Sequence, residues 1–217
     1  MKTFAAAAAT CTAGTLRPVS HRHGPLFWGY KWRNRMKVIG IVGMPASGKG
    51  EVSRIARDLG IPVVVMGDAI RERVKEAGLP PTDANCGAIA GKLRADLGMD
   101  AIARITIPLI EATGAPVVLV DGIRGDYEVT TFREHFPDFT LVGIDSSFAT
   151  RYRRLANRGR SDDSLTPEEL RVRDERELGW GLGRALEGAD CRVTNEGTLE
   201  EFAAEVRGLL CRLGGVE

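Results

Sequence analysis

The stretch Gly43-Met44-Pro45-Ala46-Ser47-Gly48-Lys49-Gly50 holds the residue types and spacing that can do chemistry most directly. Its glycines let the backbone wrap tightly enough for successive N–H groups to point inward at phosphate oxygens, and Lys49 adds an ammonium that reaches the β and γ phosphates of a nucleoside triphosphate. The apolar run Lys37–Val42 precedes it and an amphipathic stretch from Lys49 follows it. The positive end of a helix is therefore expected beside the same phosphates. An ordinary glycine turn, which a chain with 26 glycines could also produce, would not need that strand before and helix after. The usual Walker A loop follows its lysine with a Ser or Thr hydroxyl for magnesium, whereas this chain has Gly50 there.

Binding a triphosphate is only half of phosphoryl transfer. The loose transition state spreads charge over the equatorial oxygens, so cations must be placed around them. Arg151, Arg154 and Arg158 fall at i, i+3 and i+7, one face of a helix, with Arg160 just beyond and Arg173 and Arg176 on the next helical stretch. Planar guanidinium forks suit phosphate oxygens. Arg154, Arg158 and Arg160 are the candidates for a catalytic arginine, whose loss would cost roughly 4 to 7 kcal/mol of barrier. The bland alternative is a solvated basic face balanced by Asp162, Asp163, Glu168 and Glu169. Asp121 follows the apolar run Pro116–Val120, a position from which a carboxylate can hold Mg2+, through water given Gly50. Its alternative is an ordinary acid at a strand end. Asp68 bears on the acceptor: a hydroxyl acceptor needs a base, and a nucleotide phosphate, already ionised at pH 7, does not. It can also cap a helix.

These groups need a scaffold that brings them to one edge. From Met36 onward, short apolar runs alternate with longer amphipathic ones, which implies βαβ units and a parallel sheet. Strands are expected at Lys37–Val42, Ile61–Met66, Pro116–Val120, Thr140–Ile144 and Cys191–Thr194. Helices are expected at Lys49–Leu59, Asp68–Ala77, Cys86–Thr113 with a break at Gly91 or Gly98, Asp126–His135, Ser147–Arg158, Thr166–Leu186 and Thr198–Leu213. Thr166 followed by Pro167, Glu168 and Glu169 is a helix start with cap, proline and dipole-facing acids in order. The fold class expected is α/β, a three-layer P-loop fold with a five-stranded parallel sheet ordered 2-3-1-4-5, with small acceptor-binding (about 68–100) and lid (about 151–176) insertions.

Charge is divided unevenly. Residues 1–35 take six of the 30 basic residues and none of the 29 acidic ones, so residues 36–217 carry 24 against 29, a net of −5. A mildly acidic body argues against nucleic acid as a partner, since counterion displacement needs a dense basic field. The alanine-rich, then basic, segment 1–35 is expected to be a disordered leader or an extension preceding a start at Met36, with a targeting segment as the alternative. The four cysteines are scattered without a CxxC pair, which fits a reducing cytoplasm rather than a zinc or dithiol site. No uncharged apolar run approaches the roughly 20 residues of a membrane span.

With Pro45 third in the loop and Gly50 after the lysine, the cradle resembles that of adenylate kinases. Met66-Gly67-Asp68-Ala69-Ile70-Arg71 is similar to the Thr-Gly-Asp-x-Leu-Arg segment that opens their acceptor site. Asp121-Gly122-Ile123-Arg124 is similar to their Asp-Gly-Phe-Pro-Arg segment, one residue shorter. Val193-Thr194-Asn195-Glu196-Gly197 is similar to the Asn-x-Gly end of dephospho-CoA kinases. Residues 36–217 as a whole resemble an archaeal group of P-loop proteins with features of both families. The resemblance implies ATP and Mg2+ as cofactors, Arg71 and Arg124 on the acceptor phosphate with Asp68, Arg173 and Arg176 beside it, and Asn195 near the donor base. It implies a nucleoside-monophosphate-type kinase acting on a small nucleotide-like acceptor. Dephospho-CoA kinase and an ATP-binding regulatory module are the alternatives, and a homodimer is left open.

Overall fold

The computed structural model describes residues 36–158 and 166–215, without the side chains of 157 and 158. The leader expected over 1–35, Arg160, the Arg158 side chain and part of the lid lie outside the described residues.

Lys37–Gly43 (β1) is apolar at every position after Lys37 because both of its faces are covered, the pattern of a central parallel strand. It pairs in parallel with β3 (Val117–Ile123) on one side and β4 (Asp138–Asp145) on the other. β2 (Val63–Val65) and β5 (Cys191–Thr194) complete the sheet, in the order β2-β3-β1-β4-β5. The expected order 2-3-1-4-5 is thus the observed one. Alternate side chains of β1 feed two cores. Val38 and Val42 pack with Met66, Ile70, Ile102 and Phe132 on one face, and Ile39 and Ile41 pack with Val52, Ile55, Phe202 and Val206 on the other.

The helices are α1 (Lys49–Asp58), α2 (Met66–Glu76), α3 (Asp83–Leu97), α4 (Ala101–Ala112), α5 (Asp126–His135), α6 (Phe148–Arg158), α7 (Pro167–Gly179), α8 (Leu182–Glu187) and α9 (Leu199–Gly214). The long third helix expected from the sequence is two helices, and the break is at Gly98, whose φ of 103° a side chain rarely tolerates. Gly91 continues α3 unbroken. Thr166–Leu186 is likewise interrupted, at Gly181. The start signal at Thr166 is realised as a reciprocal capping box with Glu169. α2 begins at Met66, so Asp68 sits inside its first turn rather than at its cap.

The pairing of β1 with β3 is regular except at one place. Ile41 pairs with Asp121 and Val42 with Ile123, leaving Gly122 as an extra residue in β3. Gly122 has φ of 110°, and a Cβ there would lie 3.3 Å from the Met66 Cβ. It is a β-bulge at the carboxyl end of the sheet.

Candidate phosphoryl-transfer site

The loop between β1 and α1 has the cradle geometry that its sequence demands. Gly48 is left-handed at φ 113°, and an added Cβ would come within 2.2 Å of the Asn195 Nδ2 atom. Gly43 is equally confined, by the Ser47 hydroxyl and the Ile144 carbonyl. Ala46 takes φ 61° without being glycine, a strained turn residue in the middle of the loop. Gly50 faces open space, with nothing within 4 Å of where a Cβ would be. Lys49 donates from Nζ to the carbonyls of Gly43, at 2.5 Å, and Met44, at 3.0 Å.

Three contacts brace the loop from behind. Asn195, buried beyond β5, donates through Nδ2 to the Ser47 carbonyl at 2.8 Å. Arg154 of α6 donates to the side-chain and backbone oxygens of Asn195 at 2.7 and 3.0 Å and to the Ser146 hydroxyl. Arg151, buried, donates from Nη1 to the Pro45 carbonyl at 3.1 Å and forms a two-pronged pair with Asp174 of α7, at 2.9 and 2.6 Å. The basic face read from residues 151, 154 and 158 is therefore turned, at its first two positions, onto the loop and its Asn195 support. Asp121 accepts from the buried Ser53 hydroxyl of α1 at 2.8 Å.

Beside the cradle lies a cleft enclosing about 710 Å³ with its open mouth. Arg71, Arg124, Arg173 and Arg176, which the sequence reading grouped as acceptor residues, all line it. Asp68 does not; it is exposed, with 66% of its side-chain surface accessible, and is paired with Arg71 one turn on. The lining residues not singled out from the sequence include Asp83, Arg94, Glu177 and Trp180. Asp83 binds Arg176 at 2.8 Å and lies 3.6 Å from Arg173. Glu177, 1% exposed, is paired with Arg124 and lies 3.5 Å from Arg173. The one sequence signal was the four-residue spacing of Arg173 and Glu177, which on an isolated helix reads as a surface pair.

Charges couple the cradle to this cleft. Desolvation lowers the Lys49 amine from 10.5 to about 8, and the Arg124 charge adds to this, while Glu177 and Asp121 oppose it. Burial would raise the Glu177 carboxyl, but Arg124, Lys49 and Arg173 outweigh it and hold the group below its usual value. Arg124 is driven the other way: burial disfavours its charge, and Glu177 more than restores it.

The Lys49 shift has a signed consequence. An unfolded lysine keeps its proton to about 10.5 and the folded one releases it near 8, so between those values the unfolded chain holds more protons. Ligand-free stability from this group therefore rises across pH 8 to 10.5. Triphosphate binding through the ammonium would run opposite. Calorimetry with a non-hydrolysable ATP analogue should show affinity falling up to about tenfold per pH unit above 8, with net proton uptake revealed by buffers of different ionisation heat. Affinity that stays flat from pH 7 to 10 would remove Lys49 from the phosphate site.

Among the described residues, no cluster of three or more His, Cys, Asp or Glu could hold a metal by itself, and no helix is long and apolar enough to cross a membrane.

Comparison with known proteins gives the site a context. A family model described as an AAA domain matches residues 42–171. A UPF0200 protein of Methanoculleus marisnigri is 91% identical over 182 residues, covering 84% of this chain and all of that one. Among solved structures, a gluconokinase from Sinorhizobium meliloti 1021 is similar with a TM-score of 0.51 at 20% identity, covering 84% of this chain and 95% of that one. A shikimate kinase from Bacteroides thetaiotaomicron is similar with a TM-score of 0.54 at 18% identity, over 82% and 99% of the two chains. At these identities the structural likeness is one of fold.

Proposed function

The chain belongs to the UPF0200 protein family, and on that premise we propose that it transfers the γ-phosphoryl group of ATP to a small nucleotide-like acceptor that carries its own phosphate. One observation supports this above the rest: four arginines, Arg71, Arg124, Arg173 and Arg176, line one cleft, and the charges of two of them reach Lys49 of the cradle. Asp68, the carboxylate a hydroxyl acceptor would call on, lies outside the cleft and is held by Arg71. Asp83 and Glu177 are each engaged by arginines. An ionised phosphate oxygen needs no base, only positioning and charge stabilisation, and arginines supply both.

In this reading the backbone N–H groups of Gly43 to Gly50 and the Lys49 ammonium hold the β and γ phosphates of ATP. The two carbonyl partners of Lys49 are exchanged for phosphate oxygens. Asn195, Arg154 and Arg151 keep the loop in shape. Arg124 and Arg71 take the acceptor phosphate, and Arg173 and Arg176 approach it from α7. Magnesium fits the residues present: Asp121, oriented by Ser53, is a single carboxylate ligand, and phosphates and water would supply the rest where Gly50 leaves open space. When bound, the ion neutralises charge on the β and γ phosphates. A cytoplasmic location fits this substrate class.

The reading is tested by following ADP formation from ATP and Mg2+ with each nucleoside monophosphate and with dephospho-CoA. Turnover on at least one monophosphate, with Asp68→Asn keeping most of it, is the expected result. Turnover on dephospho-CoA alone, abolished by Asp68→Asn, would replace this reading with dephospho-CoA kinase. ATP binding that no acceptor converts into ADP formation would make the protein a nucleotide-gated module.

A further inference from the structure

Arg94 is the least expected residue in the cleft. It sits 5% exposed on α3, on the helix face it shares with Gly87 and Ala90, which are also in the lining with Ile102 of α4. Its Nη2 donates to Glu128 at 2.7 Å, and the Trp180 ring covers one face of the guanidinium with its centroid 4.4 Å from Cζ. Its Nη1 has no hydrogen-bond partner among the described residues. A buried guanidinium N–H without an acceptor is an unfavourable arrangement that a protein keeps where something else supplies the acceptor.

The carboxylates around it are committed to other cations, although both oxygens of Glu177 are buried without a hydrogen bond among the described residues. Glu128 takes Arg94 Nη2 on one oxygen and the Arg124 backbone N–H on the other. Asp83 is held by Arg176 and Glu177 by Arg124. The lining here consists of arginines, the two carboxylates Asp83 and Glu177 paired with them, small and apolar side chains and one aromatic face. Trp180 is half-buried and lines the cleft, where it can stack on a flat ring, and the Arg176 guanidinium lies against Gly87 with its Cζ 5.7 Å from the Trp180 ring centroid.

We infer that Arg94 reads the base of the acceptor nucleotide, donating from Nη1 to a ring carbonyl oxygen while the base lies against Trp180, so that the acceptor is a monophosphate of an oxo-bearing base such as a 6-oxopurine. This rests on the reading of the cleft as a nucleotide-acceptor site. Adenine fails the same contact because it presents an amino group where a carbonyl is needed, setting donor against donor and leaving Arg94 unpaired. Sites built to pair a polar edge reject the analogue lacking it far more strongly than apolar pockets reject a change in size. Guanidinium donors and base carbonyls are a recurrent pairing elsewhere in nucleotide recognition.

The test compares IMP with AMP, which differ at the purine 6-position, with GMP as a second 6-oxopurine. Titration calorimetry on the full chain should give IMP and GMP dissociation constants about tenfold or more below that of AMP, the discrimination one well-made base contact provides. In Arg94→Met with Glu128→Gln, which removes the guanidinium and its buried counter-charge together, IMP should weaken to the AMP value while AMP changes little. Arg94→Lys, which keeps a cation beside Glu128, should also lose the preference, and circular dichroism on both variants reports folding. AMP binding as tightly as IMP, or an IMP preference that survives both variants, overturns the inference and leaves the proposed transfer standing. Failure of these three and of every other nucleoside monophosphate to bind or to accept phosphate overturns both.

Discussion

Lys49→Ala should lower ATP-dependent phosphoryl transfer by about two to three orders of magnitude, the usual cost of deleting one group that meets charge developing in the transition state. The fold should survive it. Lys49 belongs to neither core, and its amine is held against desolvation and the Arg124 charge. Removing it relieves a desolvated charge but also loses the hydrogen bonds to the Gly43 and Met44 carbonyls, so the melting temperature of the ligand-free variant should stay close to that of the wild type below pH 8. Lys49→Arg keeps a cation but swaps a compact ammonium for a wide planar fork, and should recover little activity. ADP formation with the preferred acceptor, beside a thermal melt, checks all three statements. Transfer at the wild-type rate in Lys49→Ala would mean that the cradle is not where the triphosphate reacts.

Asp174→Asn should cost about 3–5 kcal/mol of stability, the range for removing one partner of a buried ion pair. At the size of this chain that lowers the midpoint of thermal unfolding by about 6–20 °C. The Arg151–Asp174 side chains are only 5% and 11% exposed, so water cannot replace the lost partner. The double variant Arg151→Met with Asp174→Leu removes both charges and should lie much closer to the wild type, because buried pairs stabilise little relative to apolar groups of similar size. Arg151 also donates to the Pro45 carbonyl, so the double variant should bind ATP less well despite its stability. Equal destabilisation by the single and double changes would show that packing, not charge pairing, holds α6 to α7.

The strands and their order were legible because a buried parallel strand carries its signature in nearly every residue, as β1 does from Val38 to Gly43. The cradle was legible because its geometry needs particular residues at particular spacings. Helix breaks were less so: Gly91 and Gly98 look alike as letters, and only the second adopts a conformation that ends a helix. Spacing showed that Arg151 and Arg154 share a face, but not that this face turns toward the loop. Their partners, Asp174 and Asn195, lie 23 and 41 residues away. Arg94 and Glu177 read as ordinary charged helix residues, since nothing local to either announces that α3 and α7 bury them. Acceptor-side charge was therefore visible as a set of arginines, while the acids that organise it were not.

The extra residue at Gly122 does something that no side chain can do. Upstream of it, even-numbered positions Val118 and Val120 face the core on the acceptor side, while odd-numbered Leu119 faces the core beneath α1, and Asp121 reaches Ser53 on that same helix. Downstream, odd-numbered Ile123 joins the acceptor-side core. The strand thus changes parity near its end, delivering a carboxylate to the α1 side of the sheet and, three residues later, a guanidinium to the cleft. Parity is a count, so substitution cannot restore or erase it; only gaining or losing a residue can. The division of labour between the two sides is written in the length of β3, and a lineage could change it only through an insertion or a deletion at that point.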